Sequence, residues 1–574
     1  MDSISIPRHR WIKSASQRDY QNPEQLSTLI SDRANRFRHL RALSLHDGEH
    51  EESFTYGELK RNALRISNYL LEQGICSGDR IAILSESRPR WGLAFFSILS
   101  ARAIAMPLDP NQSEDELRTI LDNGSPRMLL VSARHADLAK KLHSNCDSVE
   151  QIFSIDPVGA ESPFASIDSL AGCRNHARSL LLPNTPVVLS YTSGTMGLPK
   201  GVLTSYGNLV CQVKGLQAVM QNDSNTRCVS ILPLNHLFEL SATLLTVLYG
   251  GGQVCYVNSL MPEDIARAMQ RQRPTCMVVV PLFLKLIRKG ILARVAGQPR
   301  WKRGLFHMFF TASSLLPRRL RRLLFRSVHN HFGGSLEFFA CGGAPLDRDT
   351  IRFFDRIGIP VYQGYGMAEA SPVITTNAIA ANRAGSVGRR LPGVEVKIAD
   401  SDGEILTRGP HVMRGYLDNP EQTEAAIDPE GWLHTGDIGY LDQDGYLYIS
   451  GRKKNIIVLG NGKNVHPEEL ESVLFDHADI EEGCIIGVRS SCGISNGTEI
   501  LCAVVVPNTD LIEAQGIDNP ELQQRIEHIV ATQADRLATW KRPARIVLSA
   551  TELPKTATRK IRRREVVRQI AIGA

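Results

Sequence analysis

The sequence lacks several features that would place it in a common class of protein at once. Its 11 cysteines include no C-x-x-C pair, which argues against a metal site or a disulfide framework and favours a reducing compartment. Residues 1–8 have no apolar core of a signal peptide. Apolar runs stay shorter than a membrane span, because Arg102 interrupts one and Gly250 begins the interruption of another. We therefore expect a cytoplasmic protein.

An excess of one charge is also missing. The net charge is +6 over 574 residues, and no basic stripe is interleaved with aromatic residues, so we expect no nucleic-acid partner. Hydrophobic residues make up 43% and charged residues 22% of the chain, which is typical of globular proteins. The length predicts two or more domains.

The first part of the chain alternates between the periods of helices and strands. Apolar spacing predicts helices up to residue 71, at 91–105 and at 114–121. Short apolar runs at 81–84, 105–108 and 128–131 predict strands. Alternation of this kind predicts an α/β fold with a parallel sheet covered on both faces.

A loop rich in glycine and hydroxyl groups follows the apolar run 187–189. It reads YTSGTMGLPKGV over residues 191–202. Glycines bring backbone N–H groups close to a ligand, and hydroxyls with an ammonium group complete an anion cradle suited to phosphates. The loop does not match the Walker pattern, because Pro199 and Gly201 flank Lys200. Taken alone, a flexible turn explains it equally well.

Two strand-to-turn segments come later. Residues 336–346 (LEFFACGGAPL) and 361–371 (VYQGYGMAEAS) each combine an apolar run with a glycine-containing turn. Ligands of open parallel sheets bind beyond the carboxyl ends of strands, where such turns gather. Both turns are therefore candidate ligand-binding segments.

The segment between Trp301 and Phe332 permits two interpretations. Leucines at helical spacing would form one face and Arg318, Arg322 and Arg326 another. An ordinary surface helix with a solvated basic face is one interpretation. The other is a peripheral membrane contact, in which the arginines meet anionic lipid.

Together the motifs resemble those of the adenylate-forming superfamily, which includes acyl-CoA synthetases. The matching segments are YTSGTMGLPKGV, LPLNHLFE (232–239), GGAP (342–345), YGMAE (365–369), GWLHTGD (431–437), SGRKKN (450–455) and LPKTATRKIR (553–562). LPLNHLFE is most similar to long-chain fatty acid–CoA ligases. The resemblance implies a large N-terminal domain of doubly covered sheets over 1–450 and a smaller, mobile C-terminal α/β domain over 451–574.

The resemblance also implies the site residues. His236 would position the substrate carboxylate, Glu369 would bind Mg²⁺, and Lys560 would be the catalytic lysine. Lys454 would be the hinge that exchanges Lys560 for a thiol-binding loop. The implied nucleotide contacts are Thr192, Ser193, Gly194, Thr195, Gly197, Lys200, Gly343, Ala344, Pro345, Gly364, Tyr365, Gly366, Met367, Ala368, Asp437 and Arg452.

The implied reaction is ATP- and Mg²⁺-dependent activation of a fatty acid, followed by transfer to CoA. Transfer to the phosphopantetheine of an acyl carrier protein would use the same residues. Met196, Ala368 and Arg559 stand where the family usually has Thr, Thr and Gly, so a non-catalytic nucleotide-binding relative is a third alternative. Loss of one hydrogen bond to a charged group, as at Ala368, costs roughly 1.5–3 kcal/mol.

Overall fold

The computed structural model describes residues 31–47, 50–144, 146–170, 181–192, 199–257, 259–459, 463–475, 477, 479–489, 499–508, 511–513, 516, 519–555 and 561–572. The chain forms two compact units. The first contains residues up to Val396 together with Thr407–Leu433, and the second contains Lys397–Leu406 and the residues from His434 onward.

The strands in chain order are β1 (Arg41–Asp47), β2 (His50–Thr55), β3 (Arg80–Leu84), β4 (Ile104–Leu108), β5 (Met128–Val131), β6 (Gln151–Ser154), β7 (Pro186–Thr192), β8 (Lys200–Ser205), β9 (Arg227–Ser230), β10 (Gln253–Tyr256), β11 (Cys276–Val279), β12 (Phe338–Cys341), β13 (Val361–Gly366), β14 (Val373–Thr376), β15 (Arg389–Arg390), β16 (Glu395–Ile398), β17 (Glu404–Arg408), β18 (Gly415–Tyr416), β19 (Leu433–Leu441), β20 (Leu447–Arg452), β21 (Ile457–Val458), β22 (Asn464–Val465), β23 (Ile480–Arg489), β24 (Glu499–Pro507) and β25 (Arg545–Leu548).

The α-helices in chain order are α1 (Ser31–Arg36), α2 (Tyr56–Glu72), α3 (Pro89–Ser100), α4 (Glu114–Gly124), α5 (Ala136–His143), α6 (Tyr206–Met220), α7 (Thr246–Gly250), α8 (Pro262–Gln272), α9 (Pro281–Ala296), α10 (Arg300–Ala312), α11 (Arg318–Leu324), α12 (Arg326–His331), α13 (Arg348–Arg356), α14 (Pro420–Ala426), α15 (Pro467–Leu474), α16 (Pro520–Ala534) and α17 (Arg563–Ile572). A π-helical segment, Glu239–Leu245, precedes α7. None of the described helices is long and apolar enough to cross a membrane.

Two large sheets organise the first unit. The nine-stranded sheet has the order β15-β14-β13-β12-β11-β9-β10-β1-β2, and the seven-stranded sheet has the order β18-β8-β7-β4-β3-β5-β6. Their central strands are parallel, and antiparallel pairs occupy edges of both sheets. This arrangement confirms the α/β fold class that the alternating pattern predicted.

Helix starts follow from capping residues in the sequence. Thr55 and Ser113 accept hydrogen bonds from the backbone N–H groups of Glu58 and Glu116, whose carboxylates reach back to the caps. One predicted helix was too long, since α3 ends at Ser100 rather than at residue 105. Arg102 has a φ of +64°, a left-handed conformation that cannot continue a right-handed helix.

The second unit contains a three-stranded sheet of order β23-β24-β25 and the small hairpin β21-β22. Its core includes Leu470 and Leu474 from α15 and Leu522 and Ile526 from α16. The boundary expected at 450/451 and the mobility of the smaller domain stay predictions. The compact units divide earlier, after Leu433, because β19 and β20 pair antiparallel and keep residues on both sides of 450 together.

Candidate active site

The candidate site of the first unit lies at the carboxyl ends of neighbouring parallel strands. Strands β9, β11, β12 and β13 are adjacent in that order, and all three pairings are parallel. The LPLNHLFE and GGAP motifs follow β9 and β12, and the YGMAE motif begins in the last two residues of β13. Motifs separated by more than 100 residues in the chain therefore meet at one edge of one sheet.

Glycines allow these turns to lie close together. A Cβ on Gly342 would stand 3.0 Å from the Phe238 ring, and a Cβ on Gly366 would stand 1.8 Å from the carbonyl oxygen of Pro372. Gly343 has a φ of +87°, which favours glycine on conformational grounds. The glycines of both motifs are thus required by the local backbone whether or not a ligand is bound.

His236 lies between β9 and the π-helical segment, half-buried at the strand ends. Its loop is held by a hydrogen bond from the Leu234 backbone N–H to Ser87 Oγ, at 2.9 Å. Burial lowers the pKa of His236, while the nearby Asp109 carboxylate opposes that shift. Because the pKa lies below its ordinary value, the imidazole is mostly neutral at pH 7 and suits a hydrogen-bonding role.

Glu369 is the buried carboxylate of this strand edge. It lies in the short helix Ala368–Ala370, and its Oε1 accepts a hydrogen bond of 3.0 Å from the Tyr416 hydroxyl. The Lys200 ammonium lies over the ring of Tyr416, 5.0 Å from its centroid. Burial and the Glu369 charge raise the pKa of Tyr416 well above its ordinary value, which keeps the phenol a hydrogen-bond donor.

The Gln212 side chain supports the turn that contains Glu369. This side chain of α6 is fully buried. Its Nε2 donates to the carbonyl oxygens of Ala370 and Val373 at 3.2 and 2.8 Å, and its Oε1 accepts from the Val373 N–H at 3.1 Å. A buried amide with these three hydrogen bonds fixes the backbone on the C-terminal side of Glu369.

A small cavity of about 30 Å³ lies between α6, the π-helical segment and the strands β12 and β13. Its lining includes Leu216, Met220, Phe238, Phe338, Cys341 and Tyr362. No charged side chain is among the described residues that line it. The Phe338 and Tyr362 rings contact each other, with centroids 5.2 Å apart. Such a lining suits an uncharged, apolar group.

In the second unit, two predicted nucleotide contacts form an ion pair. Asp437 on β19 and Arg452 on β20 are register partners, and Arg452 Nε lies 2.7 Å from Asp437 Oδ1. Asp437 is buried, with 4% of its surface exposed, and its backbone N–H donates to Thr435 Oγ1 at 3.1 Å. The ion pair therefore places hydrogen-bond acceptors of Asp437 and donors of Arg452 side by side.

Comparison with known proteins decides the family. The family model described as AMP-binding enzyme matches residues 30–417, and the AMP-binding enzyme C-terminal domain matches residues 469–560. The chain belongs to the AMP-binding enzymes. A long-chain fatty acid–CoA ligase of Mycobacterium bovis is 31% identical over 445 residues, or 73% of this chain and 72% of that protein.

Relatives of this AMP-binding enzyme also include aryl-acid ligases. An indoleacetate–CoA ligase of Aromatoleum aromaticum is 29% identical over 536 residues, covering 91% of this chain and 94% of that one. The solved structure of the anthranilate–CoA ligase AuaEII with anthranoyl-AMP has the same fold, with a TM-score of 0.75 at 21% identity. That match covers 96% of this chain and 98% of the other.

These findings confirm the adenylate-forming resemblance and its fold. This AMP-binding enzyme is an AMP-forming member of the acyl-CoA and aryl-CoA ligases. Its family uses ATP and CoA. The individual residue roles and the chain length of the acid remain proposals.

The predicted site residues fall into four groups. Ser193, Gly194, Thr195, Gly197 and Lys560 lie outside the described residues. The structure brings together Lys200 and Glu369 around Tyr416, and it pairs Asp437 with Arg452 in the second unit.

The remaining predicted residues lie along the strand ends. Thr192 ends β7 opposite Lys200. Gly343, Ala344 and Pro345 are exposed after β12. Gly364, Tyr365 and Gly366 end β13, where the Tyr365 side chain is 9% exposed. Met367 and Ala368 follow, both half-buried.

Sequence reasoning missed Tyr416 and Gln212. Tyr416 belongs to the two-residue strand β18, which pairs with Val202 of β8. A strand of two residues carries no periodic signal. Gln212 was detectable only as a polar residue among apolar neighbours of α6, a pattern that indicates a satisfied buried amide as readily as a solvated one.

The residues around Glu369 fit a magnesium ion that is held mainly by phosphates. No cluster of three or more metal-ligating side chains occurs in the described part of the chain. A single carboxylate combined with phosphate oxygens is the usual magnesium arrangement at nucleotide sites. Glu369, with one oxygen taken by Tyr416, could supply that carboxylate.

Proposed function

We propose that this enzyme activates a long-chain fatty acid as its acyl-adenylate and transfers the acyl group to CoA, releasing AMP and pyrophosphate. The cavity carries the proposal. Its lining is mainly aliphatic and aromatic, with Thr376 and Asn377 as polar members, and Phe238 belongs both to its wall and to the motif that contains His236. A carboxylate near His236 would therefore direct its apolar tail toward this lining, and the lining side chains would separate to admit the tail.

The chemistry needs two anions to be brought together. A carboxylate oxygen attacks the α-phosphorus of ATP, and the bond from that phosphorus to pyrophosphate breaks. Neutral His236 would donate a hydrogen bond to the carboxylate, while Lys200 and the adjoining loop would hold the phosphates. Catalysis of this kind consists mostly of positioning and charge neutralisation.

The other groups would act on the nucleotide and on the second step. Glu369, together with the phosphates, would hold Mg²⁺, and the ion would supply positive charge to stabilise the departing pyrophosphate. Asp437 would accept hydrogen bonds from the ribose hydroxyls, and Arg452 would orient Asp437. In the second step, the CoA thiol attacks the acyl carbon, loses its proton, and AMP leaves. We place the reaction in the cytoplasm, where the cysteines would remain reduced.

Pyrophosphate exchange with a panel of acids tests the substrate class. Burial of each added methylene contributes about 0.8 kcal/mol, or roughly fourfold in affinity. We expect kcat/KM to rise from octanoate to hexadecanoate and to exceed the values for indoleacetate and ferulate by at least about tenfold. Higher values for the aryl acids would overturn the proposed substrate. No exchange with any acid would favour a non-catalytic relative.

The acceptor is tested separately with hexadecanoate and ATP. We expect thioester formation on free CoA, and a holo-acyl carrier protein serves as the competing acceptor. Thioester only on the carrier protein would replace CoA by carrier phosphopantetheine while leaving the adenylation step intact.

The role of Lys560 is tested by separating the two half-reactions. We expect Lys560→Ala to lower adenylate formation by about 10³-fold or more, since an ammonium group at developing charge supplies several kcal/mol. Thiolysis of supplied acyl-adenylate by CoA should stay within about threefold of the wild-type rate. Lys541→Ala is the control, because Lys541 pairs with Glu469 on the surface. Equal losses in both half-reactions would contradict the assigned role.

A further inference from the structure

Helix α10 is apolar on two faces. Phe306, Phe309 and Phe310 pack against the core of the nine-stranded sheet. Trp301, Leu305 and Met308, which we call the outer stripe, are 67%, 40% and 56% exposed. Their spacing of four and three residues places them on one helix face. A helix of this kind normally has a partner on each apolar face.

The outer stripe lies on an open surface with further exposed leucines nearby in the chain. A Cβ added to Gly304 of the same face would meet nothing within 4 Å. Leu286 on α9, which packs on α10, is 55% exposed. Leu315 and Leu323 are 89% and 64% exposed. Concentrations of exposed apolar side chains mark binding surfaces rather than ordinary surface.

The same region carries charge of one sign. Between Asp264 and Glu337 the sequence has no acidic residue. Exposed cations in the same stretch of the chain include Arg294, Arg300, Lys302, Arg319 and Arg326. Arg300, Lys302 and Arg303 occupy the first turn of α10, which has no acidic residue. Cations at a helix N-terminus oppose the helix dipole, so an anionic partner there would be favourable.

Several arginines of the neighbouring helix α11 are already engaged within the protein. Arg318 Nε donates to the Gly358 carbonyl oxygen at 3.3 Å. Arg321 binds Asp355 at 2.7 Å, and Arg322 donates to the Leu336 carbonyl oxygen at 2.5 Å. Arg318 and Arg322 of the basic face expected from sequence therefore hold α11 on the fold. Arg326 does not continue that face, because α11 ends at Leu324 and Arg326 begins α12. The exposed cations of α10 are the better candidates for a partner.

We propose that the outer stripe docks this enzyme on the surface of an anionic lipid bilayer. An anionic bilayer offers an apolar layer to the outer stripe and a plane of negative charge to the exposed cations. Trp301 suits the boundary between headgroups and acyl chains, and Lys302 lies 5.5 Å from its ring. The proposal does not depend on which acid the active site takes.

Vesicle sedimentation with the full chain tests the proposal. Vesicles of phosphatidylcholine with phosphatidylglycerol should bind the protein, and pure phosphatidylcholine vesicles should bind it at least about tenfold more weakly. Leu305→Gln/Met308→Gln should weaken binding to the anionic vesicles at least about tenfold. Lys302→Ser should weaken it about fivefold, the expected effect of one cation, and raised salt should remove this difference.

Leu260→Gln/Met261→Gln is the matched control. Both residues are 64% exposed, but they lie outside the outer stripe and beside Glu263 and Asp264. This variant should bind as the wild type does. Thermal unfolding and pyrophosphate exchange with octanoate show that each variant is folded. Absence of wild-type binding, or equal losses in both double variants, overturns the proposal. A self-association that the stripe variant alone abolishes would overturn it in favour of a second copy of the chain.

Discussion

Two buried glutamates of the first unit occupy contrasting surroundings. Glu369 lies in a turn at the strand ends, 9% exposed, with a phenol on one oxygen and the Lys200 ammonium beyond the phenol ring. Glu239 begins the π-helical segment and has no exposed surface. Its oxygens accept hydrogen bonds from Ser230 at 2.5 Å and Thr243 at 2.9 Å.

The contrast separates the carboxylate that we propose as a ligand-binding group from one that supports the fold. Burial raises the pKa of Glu239 to about 8, against the effect of its two hydroxyl partners. The side chain is therefore protonated at neutral pH, and it holds the π-helical segment against β9 as a neutral group. Glu369 has a cation within the same cluster and keeps a small exposed surface. The two residues should respond in opposite ways to the same substitution.

The largest effect is expected from Glu369→Gln. The change removes a negative charge that would hold Mg²⁺, a contribution of several kcal/mol, and we expect adenylate formation to fall about 10³-fold. The magnesium concentration for half-maximal activity should rise. The temperature of unfolding should change by less than about 2 °C, because glutamine keeps the acceptor for Tyr416. Unchanged magnesium dependence would contradict a metal-binding role.

Glu239→Gln should instead stabilise the protein at alkaline pH. The native pKa is raised from 4.5 to about 8, so between these values the native state binds more protons than the unfolded state. The contribution of Glu239 to stability is then fully present below pH 4.5, falls as pH rises, and levels off above pH 8. A pKa shift of this size corresponds to about 4–5 kcal/mol of unfolding free energy, which the wild type loses as Glu239 ionises. Glutamine does not ionise, so the variant would keep its stability over the same pH range.

The measurement is the difference in unfolding free energy between variant and wild type at pH 5 and pH 8. We expect the unfolding free energy of Glu239→Gln, relative to that of the wild type, to be a few kcal/mol higher at pH 8 than at pH 5. The rate of adenylate formation should change little. Glu263→Gln, at an exposed position of α8, is the control and should show no such pH dependence. A constant difference across the range would mean that Glu239 is ionised in the native protein.

The same contrast shows how far sequence reasoning reached. Motif order made Glu369 a candidate site residue, and the strand pattern predicted that the turns after β12 and β13 would meet. The support of Glu369 was not predictable, because Tyr416 comes from a two-residue edge strand and Gln212 from the middle of an apolar helix. Arg318 and Arg322 show the same limit. Their shared helix face was predicted, but their acceptors are backbone carbonyls, which leave no mark in a side-chain pattern.

The smallest effect is expected from Tyr416→Phe, which removes only the hydrogen bond to Glu369 and keeps the ring beside Lys200. A hydrogen bond to a charged group contributes about 1.5 kcal/mol or more, so adenylate formation should fall roughly tenfold, far less than in Glu369→Gln. Tyr440→Phe, at a residue 55% exposed, is the control for loss of a phenol. In Glu369→Gln, the further change Tyr416→Phe should have less effect than in the wild type, because the two side chains act as one unit. Additive losses in the double variant would mean that Tyr416 acts independently of Glu369.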